Sequence, residues 1–139
     1  MRAMVAVALV AVAACGPLPA TVAAGDVTLA ESQKLEEIHQ KAFDIAARCV
    51  LADGYTPAVT FEQIDWAVVD APVIHMREGA TPVEAEGYWS AKDSTVWLTK
   101  PVAKKMWANV HEVIHALLGA ETGHPSVFRH CRAMRDQQP

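Results

Sequence analysis

A single amphipathic helix constrains the fold of this chain more than any other feature of its sequence. Apolar residues recur at helical spacing over residues 102–118, between Pro101, which suits the start of a helix, and Gly119, which suits the position just past its end. Thr99 or Lys100 is the predicted N-terminal cap. Such a stripe needs a second layer of structure to pack on. Its members are Val102, Met106, Val110, Val113, Ile114, Leu117 and Leu118.

The remaining patterns predict an α+β domain with two more helices and a small twisted sheet. The first helix opens with a capping box formed by Thr28 and Glu31 and ends near Gly54. Short β-branched and aromatic runs predict strands, the last two of which form a hairpin around the polar turn 90–94. Residues 95–99 are also a candidate edge on which a peptide adds as an extra strand. The predicted strands are residues 58–61, 66–69, 73–76, 84–89 and 95–99, and a last short helix covers residues 126–135.

The N-terminus predicts export. Residues 1–14 carry one positive charge and then an apolar run that is too short to span a bilayer and is typical of a signal peptide. The run ends in Val-Ala-Ala-Cys15, which resembles the bacterial lipobox, whose cysteine is lipidated and becomes the new N-terminus. Residues 15–27 then form a flexible tether to a domain of residues 28–139.

In the alternative, an ordinary signal peptide is cut after Ala24. Both interpretations place the domain outside the cytoplasm. Lipidation would anchor it to the membrane of a bacterial cell envelope, facing the periplasm or the exterior.

Charge and cysteine content narrow the chemistry further. The formal net charge is −4 and no basic run is present, so nucleic acid is not an expected partner. Once Cys15 is lipidated, Cys49 and Cys131 remain, and an oxidising compartment favours a disulfide between them. The alternative is two separately buried thiols. A bond would close a loop of roughly 80 residues, which on loop entropy alone stabilises by on the order of 4 kcal/mol.

The residues that carry chemistry are His111, Glu112 and His115, which form a His-Glu-x-x-His motif on the predicted helix. Residues four apart lie on the same helix face, so both imidazoles can reach one zinc ion. Glu112 projects to one side, where it can act as a general base. This is the zincin pattern and predicts zinc-dependent hydrolysis of peptide bonds. The structural alternative is a helix with two solvated or core histidines.

A catalytic zinc site usually has three protein ligands and one open position, so a third ligand is expected. The candidates are Glu121, His124 and His130. The metzincin pattern does not fit, because Gly119 comes four residues after His115 and Glu121 stands where that pattern has a histidine. The glycines before His124 let the chain turn back, which favours His124 as the ligand and leaves Glu121 as the alternative. His130 fits better on the surface of the last helix.

The motif and the turn after it resemble a group of small bacterial lipoproteins regarded as zinc metallopeptidases of the zincin type, and more loosely the SprT-like proteases. The similar part covers residues 107–131, and two segments before the helix fit more weakly. The matching features are His-Glu-x-x-His-Ala-Leu-Leu, Gly123-His124-Pro125, Phe128, Cys131, Gly87-Tyr88-Trp89 and Val96-Trp97-Leu98. The resemblance implies a minimal zincin-like domain, His124 as third zinc ligand, and a Cys49–Cys131 bridge that locks the last helix to the first.

Two other residues have competing interpretations. Tyr88 is a candidate donor to the oxyanion of a tetrahedral intermediate, and the alternative is a half-buried strand tyrosine. His39 is expected to be solvated on the polar face of the first helix. The sequence as a whole predicts a lipid-anchored, monomeric zinc metallopeptidase that acts on a peptide or protein substrate. The alternative is a non-catalytic zinc-binding or structural envelope lipoprotein.

Overall fold

The described residues form an α+β domain, as the sequence predicts. The computed structural model describes residues 29–78 and 81–136. The predicted signal peptide at residues 1–14, the tether at 15–27 with Cys15, and the Thr28 cap lie outside them. The elements are α1 (Leu29–Ala52), β1 (Asp65–Val69), β2 (Ile74–Glu78), β3 (Thr81–Ala85), β4 (Gly87–Ser90), β5 (Thr95–Thr99), α2 (Met106–Leu118) and α3 (Val127–Asp136). No helix in this part of the chain combines the length and apolar character needed to cross a membrane.

The main core lies where α1 packs on α2 and α3. Its fully buried side chains come from the apolar faces of all three helices, which exclude water from one another. A disulfide joins Cys49 on α1 to Cys131 on α3, with the Cα atoms 5.5 Å apart, which confirms the predicted pairing. The buried members of this core are Ala42, Ile45, Ala46, Cys49, Val50, Val110, Val113, Ile114, Leu117, Val127 and Cys131.

A three-stranded sheet supports α2 from another side. Its order is β1-β5-β4, with β5 parallel to β1 and antiparallel to β4. Val96 and Leu98 of β5 are fully buried, and the β4–β5 hairpin turns where the sequence predicts it. The prediction that residues 95–99 form an exposed edge is wrong, because β5 has a neighbour on both sides. Periodicity reports which face of a strand is buried, and it carries no information on which strands flank it.

Two predicted strands differ from the structure. Residues 58–61 form no strand, because the Ala58 N–H donates to the Leu117 carbonyl of α2 at 2.8 Å and the Thr60 N–H donates to Oε1 of Gln63 at 2.8 Å. A single 3-10 turn, Phe61–Gln63, follows. The predicted strand at 84–89 breaks at Glu86. Its first part pairs with β2 in a separate two-stranded sheet, and its second part becomes β4.

The helix α2 begins later than predicted. Thr99 accepts hydrogen bonds from the N–H groups of Val102 and Ala103, which form a turn and not the first turn of the helix. Lys105 is extended, with ψ of 116°, and is the true N-cap. The buried Asn109 amide donates to the carbonyls of Ala103 at 3.0 Å and Lys105 at 2.8 Å and holds the turn against the helix.

His39 is buried, so the prediction of a solvated histidine is wrong. The side chain is 6% exposed and stacks on Trp66 of β1, with ring centroids 3.8 Å apart and ring planes 4° from parallel. Burial lowers the pKa of His39 to about 4. The imidazole therefore serves as a flat neutral ring between α1 and the sheet.

Candidate metal centre

The helix α2 presents two imidazoles on one face. His111 and His115 are one turn apart, and their ring centroids lie 5.1 Å from each other. His115 is buried and His111 is half-buried. This is the arrangement that the four-residue spacing predicts.

The third imidazole comes from the loop that follows α2. Gly119 ends the helix in the left-handed conformation, with φ of 64°, and Gly123 adopts φ of 88° just before His124. These two reversals bring Nε2 of His124 to 3.2 Å from Nε2 of His111. The ring centroids of His124 and His115 are 5.1 Å apart. His124 therefore joins the two helix histidines, as the sequence predicts.

The geometry of the three histidines fits a metal ion. One ligand nitrogen from each of His111, His115 and His124 lies within 4.8 Å of the other two, and among the described residues no further side chain belongs to this group. Two nitrogens that bind one zinc ion tetrahedrally at about 2.05 Å are about 3.3 Å apart. The 3.2 Å between the nitrogens of His111 and His124 matches that separation.

The protonation of the cluster also suits metal binding. Burial lowers the pKa of His111 to about 4 and lowers the pKa of His115 as well, so both rings are neutral near pH 7. Nδ1 of His115 donates to the carbonyl of Ala120 at 2.9 Å. That hydrogen bond fixes the tautomer and leaves the Nε2 lone pair of His115 available to a metal.

Phe128 of α3 packs against all three histidines. Its ring centroid is 5.0 Å from that of His111, 4.7 Å from that of His115 and 4.8 Å from that of His124. The apolar ring restricts the rotation of the imidazoles and excludes water from one side of the cluster. Because α3 is held by the Cys49–Cys131 disulfide, the position of Phe128 depends on that bond.

Glu112 lies beside the cluster in a dry environment. It is 6% exposed, and burial raises the pKa of its carboxyl to about 8, although a hydrogen bond from the backbone of Trp89 acts in the opposite direction. The strand β4 passes very close to this carboxylate. A Cβ atom built on Gly87 would lie 2.6 Å from Oε1 of Glu112, so only glycine fits there without a shift.

The other candidate residues lie elsewhere. The carboxylate of Glu121 accepts a hydrogen bond from the Ala91 N–H at 2.8 Å and so ties the loop after α2 to the β4–β5 turn. Nδ1 of His130 donates to Asp53 at 2.9 Å. Tyr88 follows Gly87 on β4 and is half-buried there, and its role as a donor to the oxyanion stays a prediction.

Sequence reasoning missed the roles of Gly87 and Phe128. A glycine inside a strand is a recognised signal of close approach by another group, so Gly87 carried a usable signal. Phe128 is among the residues that carry the resemblance, but no local pattern predicts its contact with the histidines, because that contact depends on how α3 docks on α2.

The chain was compared with protein-family models, with curated proteins and with solved structures, and none of them matches it.

Proposed function

We propose that this protein is a zinc-dependent metallopeptidase, anchored by lipid at Cys15 to a bacterial cell envelope. The observation that carries the proposal is the convergence of His111, His115 and His124 beside the buried carboxylate of Glu112. Three imidazoles next to a carboxylate are the residue types used by zinc hydrolases of the zincin kind.

Zinc is among the transition metals that this donor set favours. Imidazole nitrogen suits zinc well, whereas magnesium and calcium take oxygen ligands. Three protein ligands leave one tetrahedral position open, and His124 is exposed, so the cluster is accessible from solvent. When bound, zinc supplies Lewis acidity, which polarises a peptide carbonyl and promotes the ionisation of water.

Glu112 supplies the acid–base chemistry in this proposal. Its carboxylate accepts a proton from the attacking water and then donates that proton to the nitrogen of the leaving amine. Burial stabilises the protonated form, and a cation on the neighbouring histidines stabilises the ionised form. Both the protonated and the ionised form of Glu112 are therefore accessible, which a group that transfers a proton requires.

Gly87 and Trp89 position the Glu112 carboxylate. The backbone of Trp89 hydrogen-bonds it, and the missing side chain at Gly87 leaves room for it against β4. The Ala120 carbonyl orients His115 in the same way. These contacts hold the proposed base and ligands in position.

The replacement Glu112→Gln tests the proposal. Glutamine has nearly the same shape but cannot take up a proton, so hydrolysis of a mixed fluorogenic peptide pool should fall by about 10²-fold or more. The zinc content should stay at the wild-type value, because the histidines are unchanged. Glu121→Gln is the matched control: it removes an exposed carboxylate outside the cluster and should leave hydrolysis unchanged.

Two results would overturn the proposal. If the wild-type protein binds zinc but hydrolyses no peptide in the pool, the domain is a non-catalytic zinc-binding module. If Glu112→Gln retains full hydrolysis, the activity does not come from this site.

A further inference from the structure

A groove lies between α2 and α3 beside the histidine cluster. Its volume is about 480 Å³, within the range of pockets that bind small ligands. On α2 its lining residues recur at helical spacing, and on α3 they are one turn apart. We call it the α2–α3 groove, and the described residues that line it are Trp107, Val110, His111, Ile114, Phe128 and Arg132.

The α2–α3 groove opens onto the candidate metal centre. His111 lines the groove and also belongs to the histidine group. Phe128 lines it too, and its ring lies within 5.0 Å of all three imidazoles. A peptide chain held at the histidines can therefore place the next side chain in the groove without leaving the surface.

Two kinds of contact are offered inside the groove. Val110, Ile114, Phe128 and Trp107 provide an apolar wall, and Trp107 remains 44% exposed, which is unusual for so large an apolar side chain. Arg132 is the one charged residue among the lining residues that the structure describes. It is exposed, and no acidic side chain of the described residues pairs with it.

A guanidinium beside an apolar wall favours a ligand with two matching features. The guanidinium binds carboxylates through two parallel hydrogen bonds, and this interaction is stronger where apolar neighbours exclude water. The wall itself gains by covering an apolar side chain. A peptide that binds both the guanidinium and the apolar wall has a carboxylate directly after an apolar residue.

We infer that the α2–α3 groove is the specificity subsite of this protein, and that it takes an apolar residue of the substrate whose following carboxylate binds Arg132. The description of the groove as a subsite for a substrate rests on the proposed peptidase function. The carboxylate is either the free C-terminus of the peptide or the side chain of an aspartate or glutamate that comes next.

Three peptides of equal length separate these sources. The first ends in leucine with a free carboxylate, the second has an internal Leu-Asp and an amidated end, and the third has Leu-Asn with the same amidated end. Binding is measured by calorimetry on zinc-supplemented Glu112→Gln protein, so that no peptide is consumed. The first or the second peptide should bind about tenfold more tightly than the third.

Variants assign the effect to named residues. Arg132→Gln should remove the preference for the carboxylate, and Arg132→Lys should restore part of it, because the charge returns without the two-pronged geometry. Arg129→Gln is the matched control, since Arg129 is exposed on the same helix but does not line the groove. Trp107→Ala should weaken the binding of all three leucine peptides but keep the preference for the carboxylate.

Equal binding of the three peptides, or a preference that survives Arg132→Gln, overturns the inference. The outcome is independent of the proposed function. If the wild-type protein cleaves peptides with no dependence on Arg132, the peptidase proposal stands and the subsite assignment fails. If it cleaves none but Glu112→Gln still binds carboxylate peptides through Arg132, the subsite assignment stands and the peptidase proposal fails.

Discussion

Gly87 lies against Glu112, so close that a Cβ atom at position 87 would meet Oε1 of Glu112 at 2.6 Å and its Cγ and Cδ at 3.0 Å. The Glu112 carboxylate therefore occupies the space that a side chain at position 87 of β4 would need. The glycine at that position allows the carboxylate to lie there. This contact places β4 against the proposed base on α2, although Gly87 and Glu112 are far apart in sequence.

The replacement Gly87→Ala should displace the Glu112 carboxylate. Displacement of a catalytic group by about 1 Å can cost about 10²-fold in rate, so peptide hydrolysis should fall by that order. Overpacking should also lower the free energy of unfolding by about 1–3 kcal/mol. Zinc affinity should remain within a few-fold of wild type, because the three histidines are unchanged.

The control for this change is Glu86→Ala, at the exposed neighbouring position. It should alter neither hydrolysis nor stability appreciably. Full activity in Gly87→Ala would show that Glu112 does not need its observed position, and the role assigned to Gly87 would then be wrong.

The disulfide should contribute substantially to stability. Cys49 and Cys131 are separated by 82 residues, and closing a loop of that size stabilises by on the order of 4 kcal/mol. The double replacement of both cysteines by alanine should lower the free energy of urea unfolding by at least about that amount. Because α3 carries Phe128, the affinity for zinc should fall as well.

Reduction of the wild-type protein provides the check on that result. Dithiothreitol should destabilise the wild-type protein and leave the double variant unchanged, since only the former has the bond. Equal stability of oxidised and reduced wild-type protein would contradict the assigned role of the bridge.

His39 should make the metal-free protein less stable in mild acid. Burial lowers the pKa of His39 to about 4, whereas in the unfolded chain it is near 6.5, so the unfolded state binds more protons as the pH falls. The loss begins near pH 6.5 and is complete near pH 4. Between pH 7.5 and pH 5 this one group should remove about 2 kcal/mol from the free energy of unfolding.

The replacement His39→Phe tests this pH dependence. Phenylalanine keeps a flat ring against Trp66 but cannot titrate. The free energy of unfolding of the variant should therefore fall by about 2 kcal/mol less than that of wild type over the same pH interval. Urea unfolding at both pH values gives the difference. An identical loss in the two proteins would mean that His39 titrates normally in the folded state.

The part of the site that the sequence predicts is the part that depends on local geometry. His111, Glu112 and His115 follow from the helical repeat alone. His124 follows from the two glycines before it, although the sequence left Glu121 open. The structure uses Glu121 to fasten a loop to Ala91, a contact across 30 positions that no local pattern reveals.

The misassigned elements depend on contacts that hydrophobic periodicity does not report. Val102 and Ala103 continue the apolar repeat of α2 but are buried in a turn that the Asn109 amide stabilises. The run at residues 84–89 is predicted as one strand, yet its two halves pair with different strands. His39 has polar neighbours on α1, and only the docking of Trp66 buries it.

Zinc titration of the metal-free protein, followed by calorimetry and by elemental analysis, tests the central claim most directly. The wild-type protein should bind one zinc ion per chain, and His124→Ala should weaken binding by at least about 100-fold, since even residues that only support the ligands cost 10–100-fold. His130→Ala is the control, because His130 is hydrogen-bonded to Asp53 outside the cluster. The zinc affinity of this variant should match that of wild type. Failure of the wild-type protein to bind stoichiometric zinc, or wild-type affinity in His124→Ala, would contradict the account.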